Sequence, residues 1–198
     1  MIYFEDVYRL VKGKTLLPEE RARFLFEFSL KVKDSGVDGD VAEVGVYLGG
    51  SAFLISEVFD GTGKVVYLFD TFEGIPFSNP KIDIHREGEF ASSYDDVRSF
   101  LGGFSNVRIV KGIFPKSAGE DVLNRKFCFV HLDVDVYESA RDSLAFFQSR
   151  MVNGGVMVVD DYGSPNCPGV TKAVDEFLTG KNNRLVKGPG RKSCAILF

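Results

Sequence analysis

Two apolar runs that each end in a pair of aspartates constrain this chain more than any other feature. The run FCFVHL at residues 127–132 is followed by Asp133 and Asp135, and the run VMVV at residues 156–159 by Asp160 and Asp161. Apolar runs of this length are typical of buried strands. An ionised carboxylate in a low-dielectric site must be solvated, paired or bound to a cation. We therefore predict that the two strand ends meet and hold a divalent metal ion beside a substrate hydroxyl.

Strands and helices alternate along the chain, which indicates a mostly parallel sheet covered by helices. Strands are predicted at 41–47, 64–70, 107–112, 127–135 and 156–160, helices at 18–33, 49–59, 95–101, 116–123, 140–151 and 170–178, and a hairpin at the C-terminus. The predicted fold class is α/β, a Rossmann-like, mostly parallel seven-stranded sheet with helices on both faces and a C-terminal antiparallel hairpin. Ligands of such sheets bind beyond the carboxyl ends of the strands, near the point where strand order reverses.

Length, charge and cysteine content narrow the class of protein. The 198 residues suffice for a single domain, with 1–39 as an N-terminal helical segment and 71–94 as an irregular lid or acceptor-binding loop. A net charge of −4 without a basic tract argues against nucleic acid as a partner. No signal peptide and no apolar run of about 20 residues is evident, so no membrane partner is expected. Three cysteines without a CxxC motif indicate a reducing, cytoplasmic compartment.

The turn after the first predicted strand is rich in glycine and reads EVGVYLGGS at residues 43–51. Glycines let the backbone approach a ligand, and the helix start at Gly49, Gly50 and Ser51 offers N–H groups to an anion. Tyr47 stands where the dinucleotide fingerprint requires its second glycine, which favours a carboxylate-bearing ligand over a dinucleotide. The alternative is a tight turn without a ligand.

Acids also end the strands on either side of this turn. Asp70 ends the second strand, where an acid can accept hydrogen bonds from ribose hydroxyls; the alternative is a helix cap or a solvated loop acid. Asp133 and the pair Asp160 and Asp161 offer hard oxygen ligands that suit Mg²⁺, Ca²⁺ or Mn²⁺ better than Zn²⁺. Asp133 and Asp135 share a face if the chain stays extended, so one can hold a metal while the other acts as a base.

The acids have an alternative interpretation, and three further residues are weaker candidates. The aspartates could instead cap helices or pair with Arg141 and Lys172. His131 is expected to be a core histidine with a backbone partner. His85 lies in the irregular segment, from which it could reach a substrate, and Cys167 lies in a loop where it could be exposed, although no base is evident near it in the sequence.

Taken in order, these motifs resemble those of the macrocin O-methyltransferase family. The resemblance runs from about residue 40 to residue 178 and rests on EVGVYLGGS at 43–51, FDTFEGIP at 69–76, KGIF at 111–114, LDVDVYES at 132–139, DDYG at 160–163 and PGVTKAVDEF at 168–177. It implies the class I methyltransferase fold and a methyl transfer from S-adenosylmethionine to a sugar hydroxyl, with Mg²⁺ as the metal.

The resemblance also implies roles for individual residues. It places the methionine end of the cofactor at Glu43, Gly45, Tyr47 and Ser51, the ribose at Asp70 and the adenine near Gly112 and Ile113; Gly49, Gly50 and Phe72 belong to the same motifs and complete the cofactor-binding set. It makes Asp133, Asp160 and Asp161 the metal ligands and Asp135 the general base.

The acceptor implied is a small molecule whose vicinal hydroxyls can reach the metal. Catechol O-methyltransferases are similar in loop and metal arrangement but carry a lysine near the position of Val136, so a sugar or another aliphatic alcohol is favoured over a catechol. Only some forty residues precede the first predicted strand, fewer than in the antibiotic enzymes of the family, so the resemblance predicts the reaction rather than a macrolide acceptor. Assembly as a homo-oligomer stays open.

Three rival functions share parts of this pattern. A nicotinamide-dependent oxidoreductase would use the same sheet, but the glycine replaced by Tyr47 argues against it. A non-catalytic binder of S-adenosylmethionine would keep the glycine-rich turn and have no need of the acids. A metal-dependent hydrolase would keep the acids and be indifferent to S-adenosylmethionine.

Overall fold

A computed structural model describes residues 2–198 and shows seven strands alternating with helices. The strands are β1 (Asp40–Val44), β2 (Val66–Asp70), β3 (Val107–Lys111), β4 (Phe127–Leu132), β5 (Met151–Asp160), β6 (Arg184–Lys187) and β7 (Ser193–Leu197). The helices are α1 (Phe4–Val11), α2 (Glu19–Ser35), α3 (Gly50–Phe59), α4 (Tyr94–Phe100), α5 (Glu120–Leu123), α6 (Tyr137–Gln148) and α7 (Pro168–Leu178), with a short 3₁₀ turn at Pro189–Arg191.

All seven strands form one sheet in the order β3-β2-β1-β4-β5-β7-β6. The first five strands are parallel, and β7 pairs antiparallel with both β5 and β6. The predicted fold class is therefore confirmed, including the C-terminal hairpin. Strand order reverses between β1 and β4, so the loops after these two strands flank the crevice in which ligands of such sheets bind.

Two apolar layers bury the two faces of the sheet. Helices α1 to α4 contribute to the first layer, in which Phe59 packs against Phe129 of β4. Helices α5 to α7 contribute to the second, in which Phe147 of α6 contacts Phe114 and Phe127. Phenylalanine supplies much of both layers, as a chain with 19 Phe and no Trp requires.

Several predicted boundaries were wrong, and one of them changes the site. Strand β4 ends at Leu132 rather than at 135, because the chain turns there: the N–H of Val136 donates to the carbonyl of Val134 at 2.7 Å, and Asp135 has a φ of 61°. Met151 was placed in a helix, yet it begins β5, where it pairs with Phe127. Its side chain still packs against the apolar layer formed with α6, which explains the misleading helical spacing.

Residues 71–94 contain no helix or strand before α4, as predicted, but they are anchored to the domain. Asp83 is buried, and its Oδ1 accepts a hydrogen bond from the N–H of Tyr137 at the start of α6, at 2.8 Å. Its Oδ2 accepts from the N–H of Asn79 at 3.0 Å. A carboxylate at a helix start is favoured by the helix dipole, so this contact ties the loop to α6.

No helix within residues 2–198 combines the length and the apolar character that a membrane crossing would need.

Candidate active site

A single cavity lies at the carboxyl ends of the parallel strands and brings the predicted site residues together. One side is formed by the glycine-rich turn and Asp70, and the other by the four aspartates that follow β4 and β5. The predicted residues that line it are Gly45, Tyr47, Ser51, Asp70, Gly112, Asp133, Asp135, Asp160 and Asp161. Glu43, Gly49, Gly50, Phe72 and Ile113 belong to the predicted cofactor-binding set but do not line it.

Gly45 joins the two sides of the cavity. Its φ is +88°, and a Cβ at this position would lie 1.8 Å from the carbonyl oxygen of Asp133. The N–H of Gly45 donates to the carbonyl oxygen of Phe69 at 2.9 Å, and the N–H of Asp133 donates to the carbonyl oxygen of Val44 at 2.9 Å. The ends of β1, β2 and β4 therefore approach so closely that only glycine fits, and the approach itself requires Gly45 whether or not a ligand is bound.

Gly49 and Gly50 serve the packing of α3 rather than the cavity. A Cβ on Gly50 would lie 2.6 Å from the backbone of Lys14, and the N–H of Gly50 already donates to the Lys14 carbonyl at 2.9 Å. A Cβ on Gly49 would lie 3.3 Å from Val97 and Phe100 of α4. The prediction that this helix start offers its N–H groups to an anion is therefore wrong for Gly50.

Asp70 organises the glycine-rich turn through backbone hydrogen bonds. Its Oδ2 accepts from the N–H groups of Val46 at 2.7 Å and Tyr47 at 2.9 Å, and its Oδ1 accepts from the N–H of Phe72 at 2.7 Å. The carboxylate thus neither caps a helix nor stands free in solvent. An ionised carboxylate can accept about four hydrogen bonds, so capacity remains for a ligand hydroxyl, and the predicted ribose contact stays a prediction.

Glu43 and His131 form a buried pair on neighbouring strands, where they lie opposite each other in register. Glu43 Oε1 lies 2.7 Å from His131 Nδ1, and both side chains are almost fully buried. The expected backbone partner of His131 is therefore wrong, since the partner is a carboxylate. Within residues 2–198, Glu43 Oε2 has no hydrogen-bond partner, so the predicted methionine-end contact stays a prediction.

Of the two residues predicted to lie near adenine, only one lines the cavity. Gly112 lines the cavity, but the neighbouring Ile113 is 49% exposed and does not. Phe72 is buried and packs edge-on against Tyr94 of α4, which gives it a role in fixing the loop. Ser143 of α6 was not predicted; its hydroxyl lines the cavity, is buried, and has no hydrogen-bond partner in the described part of the chain.

The aspartates do meet, as predicted, although by a turn rather than by an extended strand. One carboxylate oxygen each from Asp133, Asp135 and Asp161 lie within 4.8 Å of one another. Asp160 is buried beside them but is not part of this close group. The turn at Asp135 lets Asp133 and Asp135 face the same point. An extended strand was expected to do this through the alternation of its side chains.

Arg21 of α2 is the cation that the sequence did not reveal. Its Nη1 lies 2.6 Å from Asp160 Oδ2 and 3.0 Å from Asp161 Oδ1, and these side chains are between 5% and 15% exposed. The alternative partners Arg141 and Lys172 pair with Asp142 and Glu176 instead, at the surface. Since α2 is distant in sequence from both strand ends, only the packing of α2 against the sheet places Arg21 here.

One guanidinium faces four carboxylates, and the pKa values show the imbalance. Burial, followed by the charge of Asp135, raises the pKa of Asp133 to about 8. Burial, followed by the charge of Asp161, raises the pKa of Asp135 to about 7. Burial raises the pKa of Asp160 well above its usual range as well, although Arg21 opposes the shift. The clustered oxygens and the excess negative charge fit a hard divalent cation.

The loop at 71–94 and the loop before α7 meet beside Asp135. A ring nitrogen of His85, a carboxylate oxygen of Asp135 and the sulfur of Cys167 lie within 4.8 Å of one another. Cys167 is 2% exposed, so its expected exposure is wrong, and a histidine does lie near it. Burial raises the pKa of the Cys167 thiol, and Asp161 and Asp135 raise it further, so the thiol is protonated and a poor nucleophile.

Comparison with known proteins places this site in a family context. A demethyldecarbamoylnovobiocin O-methyltransferase of Streptomyces niveus is 29% identical over 158 residues, which are 72% of this chain and 59% of that protein. A mycinamicin III 3''-O-methyltransferase of Micromonospora griseorubida is 26% identical over 159 residues, which are 72% of this chain and 61% of that protein. The chain thus spans about three fifths of the length of these relatives.

Solved structures share the fold over nearly the whole chain. The O-methyltransferase NovP superposes with a TM-score of 0.79 at 26% identity, covering 92% of this chain and 81% of that one. The calicheamicin methyltransferase CalS11 has a TM-score of 0.73 at 18% identity, covering 98% and 91% of the two chains, and shows the shared fold. The sequence profile of the macrocin-O-methyltransferase (TylF) family matches residues 9–189, and the chain belongs to this family.

Proposed function

We propose that this protein transfers a methyl group from S-adenosylmethionine to a hydroxyl of a sugar or a sugar-bearing small molecule, with help from a divalent cation. Membership of the macrocin-O-methyltransferase family supports methyl transfer. Similar proteins support the acceptor class: a relative from Streptomyces olivaceus, 29% identical over 147 residues, is named for a rhamnosyl-tetracenomycin C substrate, and the Micromonospora griseorubida relative is named for mycinamicin III.

One observation carries the proposal: the glycine-rich turn and the aspartate cluster line the same cavity. A cofactor held by the turn would point its reacting end toward the acids, because Gly45 brings the end of β1 against Asp133. A nicotinamide enzyme would have no use for four clustered carboxylates. A non-catalytic cofactor binder would not maintain buried acids that cost folding energy.

The cofactor-binding side is proposed to consist of Gly45, Tyr47, Ser51, Asp70 and Gly112. Asp70 fixes the turn and keeps capacity for the ribose hydroxyls. Glu43, Gly49, Gly50, Phe72 and Ile113 form a supporting set. Gly49 and Gly50 allow α3 to pack against α4 and the Lys14 segment, and Phe72 fixes the start of the loop.

Asp135 is proposed as the general base. It lines the cavity, and its raised pKa of about 7 is close to that of an effective proton acceptor near neutral pH. In the proposed reaction, Asp135 accepts the proton of the acceptor hydroxyl as the oxygen forms its bond to the methyl carbon; the bond from that carbon to the sulfonium sulfur breaks, and S-adenosylhomocysteine leaves. The sulfur of Cys167 lies 3.8 Å from Asp135 Oδ1. This contact and the backbone turn at Asp135 hold the carboxylate in place.

Asp133, Asp160 and Asp161 are proposed as the metal ligands. Asp133 and Asp161 belong to the close group of oxygens, and Asp160 would share its carboxylate with Arg21. When bound, a hard divalent cation supplies Lewis-acid polarisation of the acceptor oxygens, and S-adenosylmethionine supplies the methyl group. The loop at 71–94 lines the cavity with Ile75 and Phe90 and is proposed to exclude water from the acceptor.

The direct test incubates the protein with methyl-labelled S-adenosylmethionine and a panel of nucleotide sugars, simple glycosides and catechols. The proposal expects label on an O-linked methyl of a sugar, more product with Mg²⁺ than with a chelator, and little with catechols. Labelled S-adenosylmethionine that remains intact with every acceptor, with and without Mg²⁺, would count against methyl transfer.

A further inference from the structure

Three side chains that are not proposed ligands of the metal site converge beside it. His85 comes from the loop at 71–94, Asp135 from the turn after β4 and Cys167 from the loop before α7. One ligand atom from each lies within 4.8 Å of the other two. These segments are far apart in sequence, so the fold brings a nitrogen, an oxygen and a sulfur donor to a single point.

The donor set differs in kind from that of the aspartates. Imidazole and thiolate are ligands of borderline-soft ions such as Zn²⁺ and Co²⁺, whereas carboxylates alone suit Mg²⁺. Three protein ligands with one open position are also the arrangement of many zinc sites that accept a further ligand. Here Asp135 also lines the cavity, so the three donors lie at its border.

The geometry is close to what such an ion requires. Cys167 Sγ lies 3.8 Å from Asp135 Oδ1, and tetrahedral coordination with usual bond lengths separates a sulfur and an oxygen ligand by about 3.5 Å. Cys167 is buried, so the site needs little additional desolvation at the sulfur. The side chain of His85 is 22% exposed, and one of its ring nitrogens already lies within 4.8 Å of the other two ligand atoms.

Glu89 supplies the orienting contact that metal-binding histidines usually have. Its Oε2 lies 2.8 Å from His85 Nδ1, which leaves Nε2 as the nitrogen available to an ion. A carboxylate on the second ring nitrogen fixes the imidazole orientation and raises its basicity as a ligand. The ring of His85 is also packed edge-on against Phe90 at 5.1 Å between centroids.

We propose that His85, Asp135 and Cys167 form a second cation site, selective for a borderline-soft divalent ion such as Zn²⁺ or Co²⁺, and that its occupation inhibits the enzyme. On binding, the Cys167 thiol loses its proton to water and the thiolate bonds to the ion; no redox change occurs. The inhibition rests on the proposed function, because a carboxylate of Asp135 held by the ion cannot accept the acceptor's proton.

Cobalt substitution tests the site without reference to activity. The chelator-treated protein is titrated with Co²⁺ at neutral pH, and the near-ultraviolet thiolate-to-cobalt charge-transfer band is recorded. A carboxylate-only site cannot give this band. We expect it to saturate at one ion per chain in the wild type and in Cys128→Ala, whose cysteine lies near the start of β4, and to be absent in Cys167→Ser.

Two loop variants keep the test decisive if Cys167→Ser fails to fold. Glu89→Gln is expected to weaken Co²⁺ binding by about 10- to 100-fold, the usual effect of removing an orienting carboxylate, and His85→Ala to weaken it further. Cobalt that binds the wild type without the band, a band that persists in Cys167→Ser, or unchanged affinity in His85→Ala would each overturn the proposal.

The inhibition is measured separately. Zn²⁺ is expected to slow methyl transfer in the wild type and to have a much weaker effect in His85→Ala. An active enzyme that Zn²⁺ leaves unaffected would contradict the regulatory part. If the protein transfers no methyl group at all, the cobalt band still decides whether the site exists, so the failure of one proposal does not conceal the failure of the other.

Discussion

The two sides of the cavity balance their charge in different ways. At the ends of β1 and β2, Asp70 is compensated locally by three backbone N–H groups within its own motif and the neighbouring turn. At the ends of β4 and β5, four carboxylates depend on Arg21, which belongs to a helix far away in the sequence. On the first side the backbone itself compensates Asp70, whereas on the second side four carboxylates share one guanidinium.

We interpret this difference as a division of roles, in which the turn side positions a ligand and the acid side takes part in the reaction. Hydrogen bonds within the protein hold Asp70 and the turn in place, and the proposed role of this side is to hold a cofactor in a fixed position. The acid side is expected to gain free energy from a cation that enters, since burial and mutual repulsion raise the pKa of Asp133 and Asp135. The reaction is therefore expected to depend on changes at the acids, and cofactor affinity on changes at the turn.

The largest expected effect is on turnover in Asp135→Asn. Loss of a general base typically lowers the rate by about 10²- to 10⁴-fold. S-adenosylhomocysteine affinity should stay within a factor of about two or three, because the turn side is untouched. The control is Asp142→Asn on the surface of α6, which should keep full activity. Equal loss of cofactor affinity and rate in Asp135→Asn would contradict the division between the two sides.

Gly45→Ala attacks the junction of the two sides. The new Cβ would lie 1.8 Å from the Asp133 carbonyl, and φ is +88°. Backbone strain and overpacking each cost about 1–3 kcal/mol, so the free energy of unfolding should fall by about 2–6 kcal/mol. Gly61→Ala has a similar φ of +68° but nothing within 4 Å of the added Cβ, so it should lose only the strain part. Urea denaturation measures both; equal losses would refute the close approach.

Arg21→Ala sharpens the comparison by removing the only guanidinium bonded to the acids among residues 2–198. Breaking a buried ion pair costs about 3–5 kcal/mol because a charge is left uncompensated. Mg²⁺ should then restore more stability to Arg21→Ala than it adds to the wild type. The control is Arg23→Ala on the same helix, whose partners Glu5 and Glu19 are exposed. A thermal denaturation series in which Mg²⁺ shifts Arg21→Ala and wild type equally would argue against Arg21 as the counter-ion.

Measured over a single pH unit, the change in stability with pH is the smallest expected effect. The folded pKa of about 8 for Asp133 and about 7 for Asp135 exceeds the unfolded value near 4, so the folded state binds more protons over this range. Stability in the presence of a chelator should therefore fall as pH rises from about 4 to about 8, by at most about 1.4 kcal/mol per pH unit for each carboxyl. Asp133→Asn should reduce the slope, which denaturation at several pH values measures. Stability that rises over this range would contradict the clustering.

Local sequence patterns predicted the fold and located the glycine-rich turn and Asp70 beside the cavity. The alternation of apolar runs with helical segments predicts the parallel sheet, and the closing hairpin follows from the glycines and proline between its strands. Asp70 and Gly45 lie in the motifs that they organise. Met151 was misplaced because its spacing fits both the face of α6 and the start of β5, and periodicity cannot decide between two elements that pack on the same layer.

The acid side could be predicted only in part. The aspartates were found because they follow buried strands, but the turn at Asp135 replaced the extended chain that the spacing suggested. Arg21, Asp83 and the approach of His85 to Cys167 left no local signal, since each contact joins segments far apart in sequence. Charge balance was the available clue: four clustered acids favour a cation nearby, but composition does not say which of the 24 Lys and Arg residues supplies it.

We propose that one cavity binds an S-adenosyl ligand on the turn side and a cation on the acid side. Calorimetric titration with S-adenosylhomocysteine, with and without Mg²⁺, tests this most directly when wild type is compared with Asp70→Ala. We expect one site per chain, much weaker binding in Asp70→Ala, and a separate Mg²⁺ event that Asp133→Asn removes. No binding of S-adenosylhomocysteine to the wild type under either condition would contradict it.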